Sequence, residues 1–228
     1  MISICIMYHE GDKHYLPMCL ASLPKSEEVI VVKTEKIKDG SMYVSEVEQK
    51  GKIIRAKLFY KELDFARMRN EVMKLAMQEW ILFLDADEVL LSHQIKGLME
   101  LLHYSHPKTG GYMMNIVSYS PHLQETVTVN HYVRLFRNRG FNYEYSIHEQ
   151  VAHSIINEGY KIYDTDLIIH HLGYQGSKEE IVSKLKRNLA VLEYSQLHES
   201  GNEFIKERYT TYKENMLNLL ESLYNGTA

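Results

Sequence analysis

Ile2 to Tyr8 (ISICIMY) is an apolar run rich in β-branched side chains, the pattern of a buried strand. The polar loop His9-Glu10-Gly11-Asp12 leads into a helix carrying Leu16, Cys19, Leu20 and Leu23, with Pro17 early in it, where a missing N–H costs little. Glu28 to Thr34 (EVIVVKT) predicts a second strand and Ile53 to Phe59 a third; Lys36 to Lys50 between them is charged and shows no clear period. Asp64 caps a helix reaching Glu79, with Phe65, Met68, Val72, Leu75 and Ala76 on one face. Trp80 to Leu84 (WILFL) is apolar throughout, as expected of a central strand covered on both sides.

Beyond Asp85 the texture changes. Ser92 caps a helix to Tyr104, Pro107 to Gly111 breaks the pattern, and Tyr112 to Ser118, Thr126 to Phe136, Val151 to Ile156 and Ile162 to His170 read as extended segments. Ser177 opens a helix through Leu197; after Gly201, Asn202 opens another to Tyr224. Strand and helix alternate in the first half, which predicts an α/β fold with a mostly parallel central sheet; the second half adds a small antiparallel extension and C-terminal helices. The expected division is one α/β domain over 1–176 and a helical extension over 177–228 packed on it.

Composition narrows the classes. A chain of 228 residues, 45% hydrophobic and 25% charged, suits one folded domain with a proper core. Net charge is −4, so no bulk basic field advertises nucleic acid or a membrane surface. No apolar run approaches the roughly 20 residues of a membrane span, and Ile2 to Met7 is too short for a signal-peptide core, so the cytoplasm is the expected location. The two cysteines, Cys5 and Cys19, have no metal-type spacing and define no disulfide framework.

The sharpest chemical signal is Leu84-Asp85-Ala86-Asp87-Glu88. Open parallel sheets bind ligands outside the carboxyl ends of their strands. Two carboxylates one residue apart, just past a buried strand, can direct oxygens at one hard cation such as magnesium or manganese. The bland reading of the pair is a capped, solvated loop.

Several ordered motifs turn the balance. The stretch DFARMRNEVMKLAMQEWILFLDADEVL (Asp64 to Leu90), then RLFRN (Arg134 to Asn138), SIHEQV (Ser146 to Val151) and HHLGYQGSKEEIVSKLKRNLAVLE (His170 to Glu193), resembles the family-two glycosyltransferases of the GT-A fold. The likeness is to a subgroup containing bacterial lipopolysaccharide-core and peptide glycosyltransferases, and it spans residues 1 to 195. It implies a Rossmann-like domain that moves a sugar from a nucleotide-diphosphate sugar to an acceptor, with Mn2+ or Mg2+ and with inversion of the anomeric centre.

The resemblance also implies roles. Asp85 would contact the ribose or the metal's water shell, Asp87 would ligate the metal, and His171 would be the second protein ligand. Asp64, Arg67 and Asn70 share a helix face that it places beside the nucleotide, Arg67 to neutralise phosphate and Asn70 to position a loop; Arg69 is equally well a solvated helix residue. Glu149 is the candidate general base, unless it pairs with Arg134 or Arg137 to anchor its loop. Lys184 and Arg187 would clamp the leaving diphosphate, although Lys184 is equally well a solvated helix residue.

One departure matters. Many members end the second strand with an aspartate that helps recognise the nucleobase, and here Lys33 stands in that place. A lysine cannot accept a hydrogen bond from a pyrimidine N–H, which puts the usual UDP-sugar preference in doubt and leaves Tyr8 and His9 as substitutes for stacking and hydrogen bonding. Acceptors within the resemblance include saccharides, peptides and modified nucleic-acid bases. The stripe Phe204, Ile205, Tyr209, Tyr212, Met216, Leu219, Leu220 and Leu223 suits core packing or, alternatively, a homodimer or acceptor-docking face. Rival functions are a nucleotidyltransferase, disfavoured by the acidic loop after the first strand, and a non-catalytic nucleotide-sugar-binding relic.

Overall fold

A computed structural model describes residues 1–25, 27–38, 42–119, 127–175, 177–198 and 203–225, with the side chains of 127, 128, 203–208 and 225 outside the description. Thr126, Gly201, Asn202 and the side chains of Phe204 and Ile205 therefore lie outside the described residues.

The five strands of the first half are β1 (Ile2–Tyr8), β2 (Glu28–Lys36), β3 (Tyr43–Lys50), β4 (Ile53–Tyr60) and β5 (Trp80–Asp85). Strands β4, β2, β1 and β5 lie side by side and parallel. Helix α1 (Leu16–Ala21) connects β1 to β2, and α2 (Phe65–Met73) connects β4 to β5. Strict alternation explains the unbroken apolar runs. Ile2, Ile4, Ile6, Trp80, Leu82 and Leu84 point to one face with Leu16, Cys19 and Leu98, whereas Cys5, Met7, Ile81 and Phe83 point to the other with Ala66, Met68 and Val72. A strand covered on both faces needs apolar side chains at every position.

The second half comprises β6 (Glu88–Val89), α3 (Ser92–Tyr104), β7 (Thr109–Tyr119), β8 (Val127–Arg137), α4 (Ala152–Asn157), β9 (Lys161–His171), α5 (Lys178–His198) and α6 (Glu203–Asn225). Among the described residues the strands form one nine-stranded sheet in the order β3-β4-β2-β1-β5-β8-β7-β9-β6. Beyond β5 the pairings are β5–β8, β7–β8 and β6–β9 antiparallel and β7–β9 parallel, so the whole sheet is mixed.

Four local expectations need correction. Val151 to Ile156 is not a strand: α4 begins at Ala152, with Val151 and Ile155 buried four residues apart and Ile156 outside. Ile155 lies against Gly110 and Gly111 of β7, where no side chain of the strand competes for the space. The stretch before Ile53 contains β3, an antiparallel edge strand whose side chains are mostly exposed, so no apolar alternation marks it. Helix α2 stops at Met73, because the following backbone turns to other acceptors, Met77 N–H to Glu28 and Gln78 N–H to Ser3. Finally, Ser92 is the first residue of α3 and Leu91 holds the N-cap position, with no side-chain cap.

The apolar stripe of α6 is used within the chain. Met216, Leu219, Leu220 and Leu223 pack with Ile181, Leu185 and Leu189 of α5, and Tyr209, Tyr212 and Met216 meet Val191, Leu192, Ile147 and Phe65. No helix among the described residues is long and apolar enough to cross a membrane.

Cys5 and Cys19 are both fully buried, and burial raises the pKa of both thiols. Native protein should therefore react negligibly with Ellman's reagent while unfolded protein titrates both thiols. A fast-reacting thiol in the native state would contradict this packing.

Candidate active site

The carboxyl ends of β1 and β5 open into a cavity of about 260 Å³. Tyr8, His9, Asp85, Asp87, Glu149, His171, Lys184 and Arg187 all line it, brought from five separate places along the chain. Asp64, Arg67 and Asn70 do not. Asp64 is the N-cap of α2, accepting from Arg67 N–H at 2.9 Å; the Arg67 side chain is exposed; and Asn70 makes a reciprocal pair with the Tyr143 backbone, donating at 2.9 Å and accepting at 2.7 Å.

The convergence of Asp87 with His171 has a local cause. The two-residue strand β6 pairs antiparallel with the end of β9, Glu88 opposite His171, and Leu172 N–H donates to Asp87 O at 2.8 Å. His171 Nε2 then lies 3.2 Å from Asp87 Oδ2, and the Ser118 hydroxyl sits 2.9 Å from Nδ1, fixing the ring. Lys184 of α5 donates to Asp87 Oδ2 at 2.9 Å and stands 3.5 Å from His171 Nε2. Burial alone would favour the neutral acid, yet Lys184 and His171 outweigh it and hold the Asp87 carboxyl well below the usual carboxylate range. Farther out, Arg187 contacts His9 Nε2 at 2.8 Å and lies over the Phe65 ring.

A glycine makes this cluster possible. A Cβ on Gly173 would stand 2.1 Å from Asp87 Oδ2, 2.3 Å from Lys184 Nζ and 2.7 Å from His171 Nε2. A side chain at position 173 would therefore force Asp87, Lys184 or His171 out of the cluster.

Asp85 belongs to a second network. Arg69, only 4% exposed, donates from Nη2 to both Asp85 oxygens at 2.9 and 3.2 Å and from Nε to Glu149 Oε1 at 2.6 Å. Arg134 donates to Asp85 Oδ2 at 3.3 Å and to Glu88 Oε1 at 2.7 Å, while Glu88 Oε2 accepts from Asp85 N–H at 2.8 Å. Burial opposes ionisation of Asp85, but Arg69 and Arg134 keep its pKa lowered. Burial, reinforced by Asp85 and opposed by Arg134, pushes Glu88 up to about 7. Arg69 is thus no solvated helix residue, and Glu149 pairs with Arg69 rather than with Arg134 or Arg137; Arg137 binds Glu79 and the Thr109 carbonyl instead.

Glu88, Ser118 and Gly173 are site residues to which no sequence pattern gave a role, and Arg69 and Arg134 entered the sequence reading only as a helix-face residue and as a possible partner of Glu149. For Arg69 a signal exists: it falls on the apolar face of α2 with Ala66, Val72 and Met73, and a charge on a core stripe requires a partner. Arg69→Met would leave Glu149 without its cation. The expected cost is about 3–5 kcal/mol, a fall of roughly 10 °C in melting temperature for a chain of this size. An unchanged thermal midpoint would mean that water replaces the guanidinium freely.

With this geometry in view, the model for "Glycosyl transferase family 2" matches residues 3–172. The chain belongs to glycosyl transferase family 2. Curated family relatives include the SPbeta prophage-derived glycosyltransferase SunS of Bacillus subtilis (strain 168) and the glycosyltransferase SunS of Bacillus phage SPbeta, each 28% identical over 137 residues. That alignment covers 57% of this chain and 30% of each SunS protein, so the chain spans under a third of the length of those relatives. Among solved structures, S. aureus TarS 1-349 in complex with UDP-GlcNAc is similar at a TM-score of 0.47 and 13% identity, covering 84% of this chain and 66% of TarS 1-349.

Proposed function

We propose that this family 2 chain transfers a sugar from a nucleotide-diphosphate sugar to an acceptor nucleophile, with inversion at the anomeric carbon and with Mn2+ or Mg2+ at Asp87 and His171. One observation supports this above all: Asp87, His171, Lys184 and Arg187 meet in the same cavity as Glu149, in a chain of this family.

The donor set fits a small divalent ion. Two ligands in adjacent octahedral positions at about 2.1 Å from an ion lie about 3 Å apart, close to the 3.2 Å between Asp87 Oδ2 and His171 Nε2. Ser118 supplies the outer hydrogen bond that a metal-binding histidine ordinarily has. Asp87 and His171 would be the protein's two ligands to the ion; among the described residues no three His, Cys, Asp or Glu side chains are grouped so as to hold a metal by themselves. The Asp85 carboxylate, gripped by two arginines, is assigned to the ribose or the ion's water shell. When bound, the ion neutralises charge that develops on the departing diphosphate.

The chain's own residues do the rest. Lys184 and Arg187 present two positive charges from α5 to the same leaving group. Arg69 orients Glu149 through Oε1, and among the described residues no hydrogen bond engages Oε2. That oxygen takes the acceptor's proton as the acceptor bonds to the anomeric carbon; the bond from that carbon to the diphosphate oxygen breaks, and the nucleotide leaves with the electron pair.

Lys33 bears on donor choice. Its ammonium is engaged by Glu10 at 2.9 Å and Glu35 at 3.0 Å. It supplies no acceptor for a pyrimidine N–H. A thermal-shift panel of UDP-, GDP- and dTDP-sugars with manganese is expected to give comparable shifts. Stabilisation by UDP-sugars alone would contradict weak base discrimination. Donor turnover with and without candidate acceptors tests transfer itself, and hydrolysis that no acceptor accelerates would point away from it.

A further inference from the structure

The loop that carries Glu149 contains two non-glycine residues with left-handed backbone, Tyr145 at φ 71° and His148 at φ 55°. Such backbone is uphill for an L-residue and persists only where its surroundings impose it. Four contacts impose it here. Arg69 holds the Glu149 carboxylate at 2.6 Å. Glu144 and Gln150 close the loop with reciprocal backbone hydrogen bonds of 2.9 and 3.0 Å. Ile147 is buried against Val191 and Leu192 of α5. The His148 imidazole stacks on Tyr212 of α6, with ring centroids 3.8 Å apart and planes 18° from parallel.

The last two contacts differ from the first two, because α5 and α6 lie outside the segment 3–172 that the family model matches, and the stack from α6 is the one that bears on His148 itself. We infer that Tyr212 is a positioning residue: its ring, stacked on His148, holds the left-handed turn that delivers the Glu149 carboxylate to the cavity. The inference rests on the reading of Glu149 as the base. Geometry gives it a physical basis. His148 and Glu149 are adjacent, so a return of His148 to right-handed backbone swings the next Cα and its side chain away from Arg69. Stacking on a helix side chain from across the loop opposes that return, because parting the two rings would lose the dispersion contacts between their faces. The C-terminal helix thereby reaches the acceptor side of the cavity through a residue that need not touch substrate.

The test compares Tyr212→Leu, which keeps apolar cover but removes the ring, with Tyr212→Phe, which keeps the ring. Crystal structures of both are paired with steady-state nucleotide release from UDP-GlcNAc and manganese. In Tyr212→Leu, His148 is expected to leave positive φ and Glu149 to part from Arg69, with kcat down about 10-fold or more and donor KM within about twofold, the pattern of a displaced general base. Tyr212→Phe should keep both the loop and kcat. An unmoved loop or an unchanged kcat in the Leu variant overturns the inference. Glu149→Gln separates the two claims: normal kcat there removes the base assignment, whereas the loop displacement in Tyr212→Leu reads the positioning contact by itself.

Discussion

Asp87→Asn is expected to lower turnover about 1,000-fold, the equivalent of about 4 kcal/mol of lost charge stabilisation, and to abolish the manganese dependence of donor binding. The amide is nearly isosteric with the carboxylate and can still accept from Lys184, so the pocket should stay folded. What disappears is the negative charge facing both Lys184 and His171, 2.9 and 3.2 Å from Asp87 Oδ2. A divalent ion would then be held by His171 without its anionic partner and beside an uncompensated ammonium, which repels it. Calorimetry of UDP binding with and without manganese provides the measurement. Manganese-stimulated binding equal to that of the parent would remove Asp87 from the metal site and leave the Asp87–Lys184 pair as a structural contact.

Glu149→Gln is expected to do the opposite. Donor binding should survive, because the residue sits with the Asp85–Arg69 network rather than with Asp87 and Lys184. Turnover should fall about 100-fold or more, within the range for loss of a positioned base. Glutamine can accept one hydrogen bond from Arg69 and so keeps the loop nearly in place, while its amide cannot take a proton from the acceptor. A variant with nearly normal kcat would transfer the base role elsewhere, and Asp85 would not be the substitute, since Arg69 and Arg134 keep its pKa low despite burial. The two variants therefore separate donor handling from proton transfer.

The central strands were legible in the chain itself. ISICIMY, EVIVVKT and WILFL contain enough consecutive apolar side chains that only a doubly covered strand accommodates them, and β1, β2 and β5 lie where these runs predict. The ordered motifs from Asp64 to Glu193 pointed to the family that the match over 3–172 establishes. Edge and surface elements were not legible. Strand β3 has little buried area to impose a period, and α4 has only six residues, of which Ile155 is buried, with Val151 buried just before it.

The chemistry of the cavity divides in the same way. The residue types at Asp85, Asp87, Glu149, His171, Lys184 and Arg187 are properties of the sequence, and so is the strand end that projects the first two. Which carboxylate meets which cation was decided only in three dimensions. The pairing of β6 with β9 gives Asp87 to His171, the buried face of α2 gives Arg69 to Asp85 and Glu149, and α6 reaches back to His148. Periodicity along a chain reports which side of an element is buried. Partners on other elements depend on how those elements cross, and a local pattern contains no record of that.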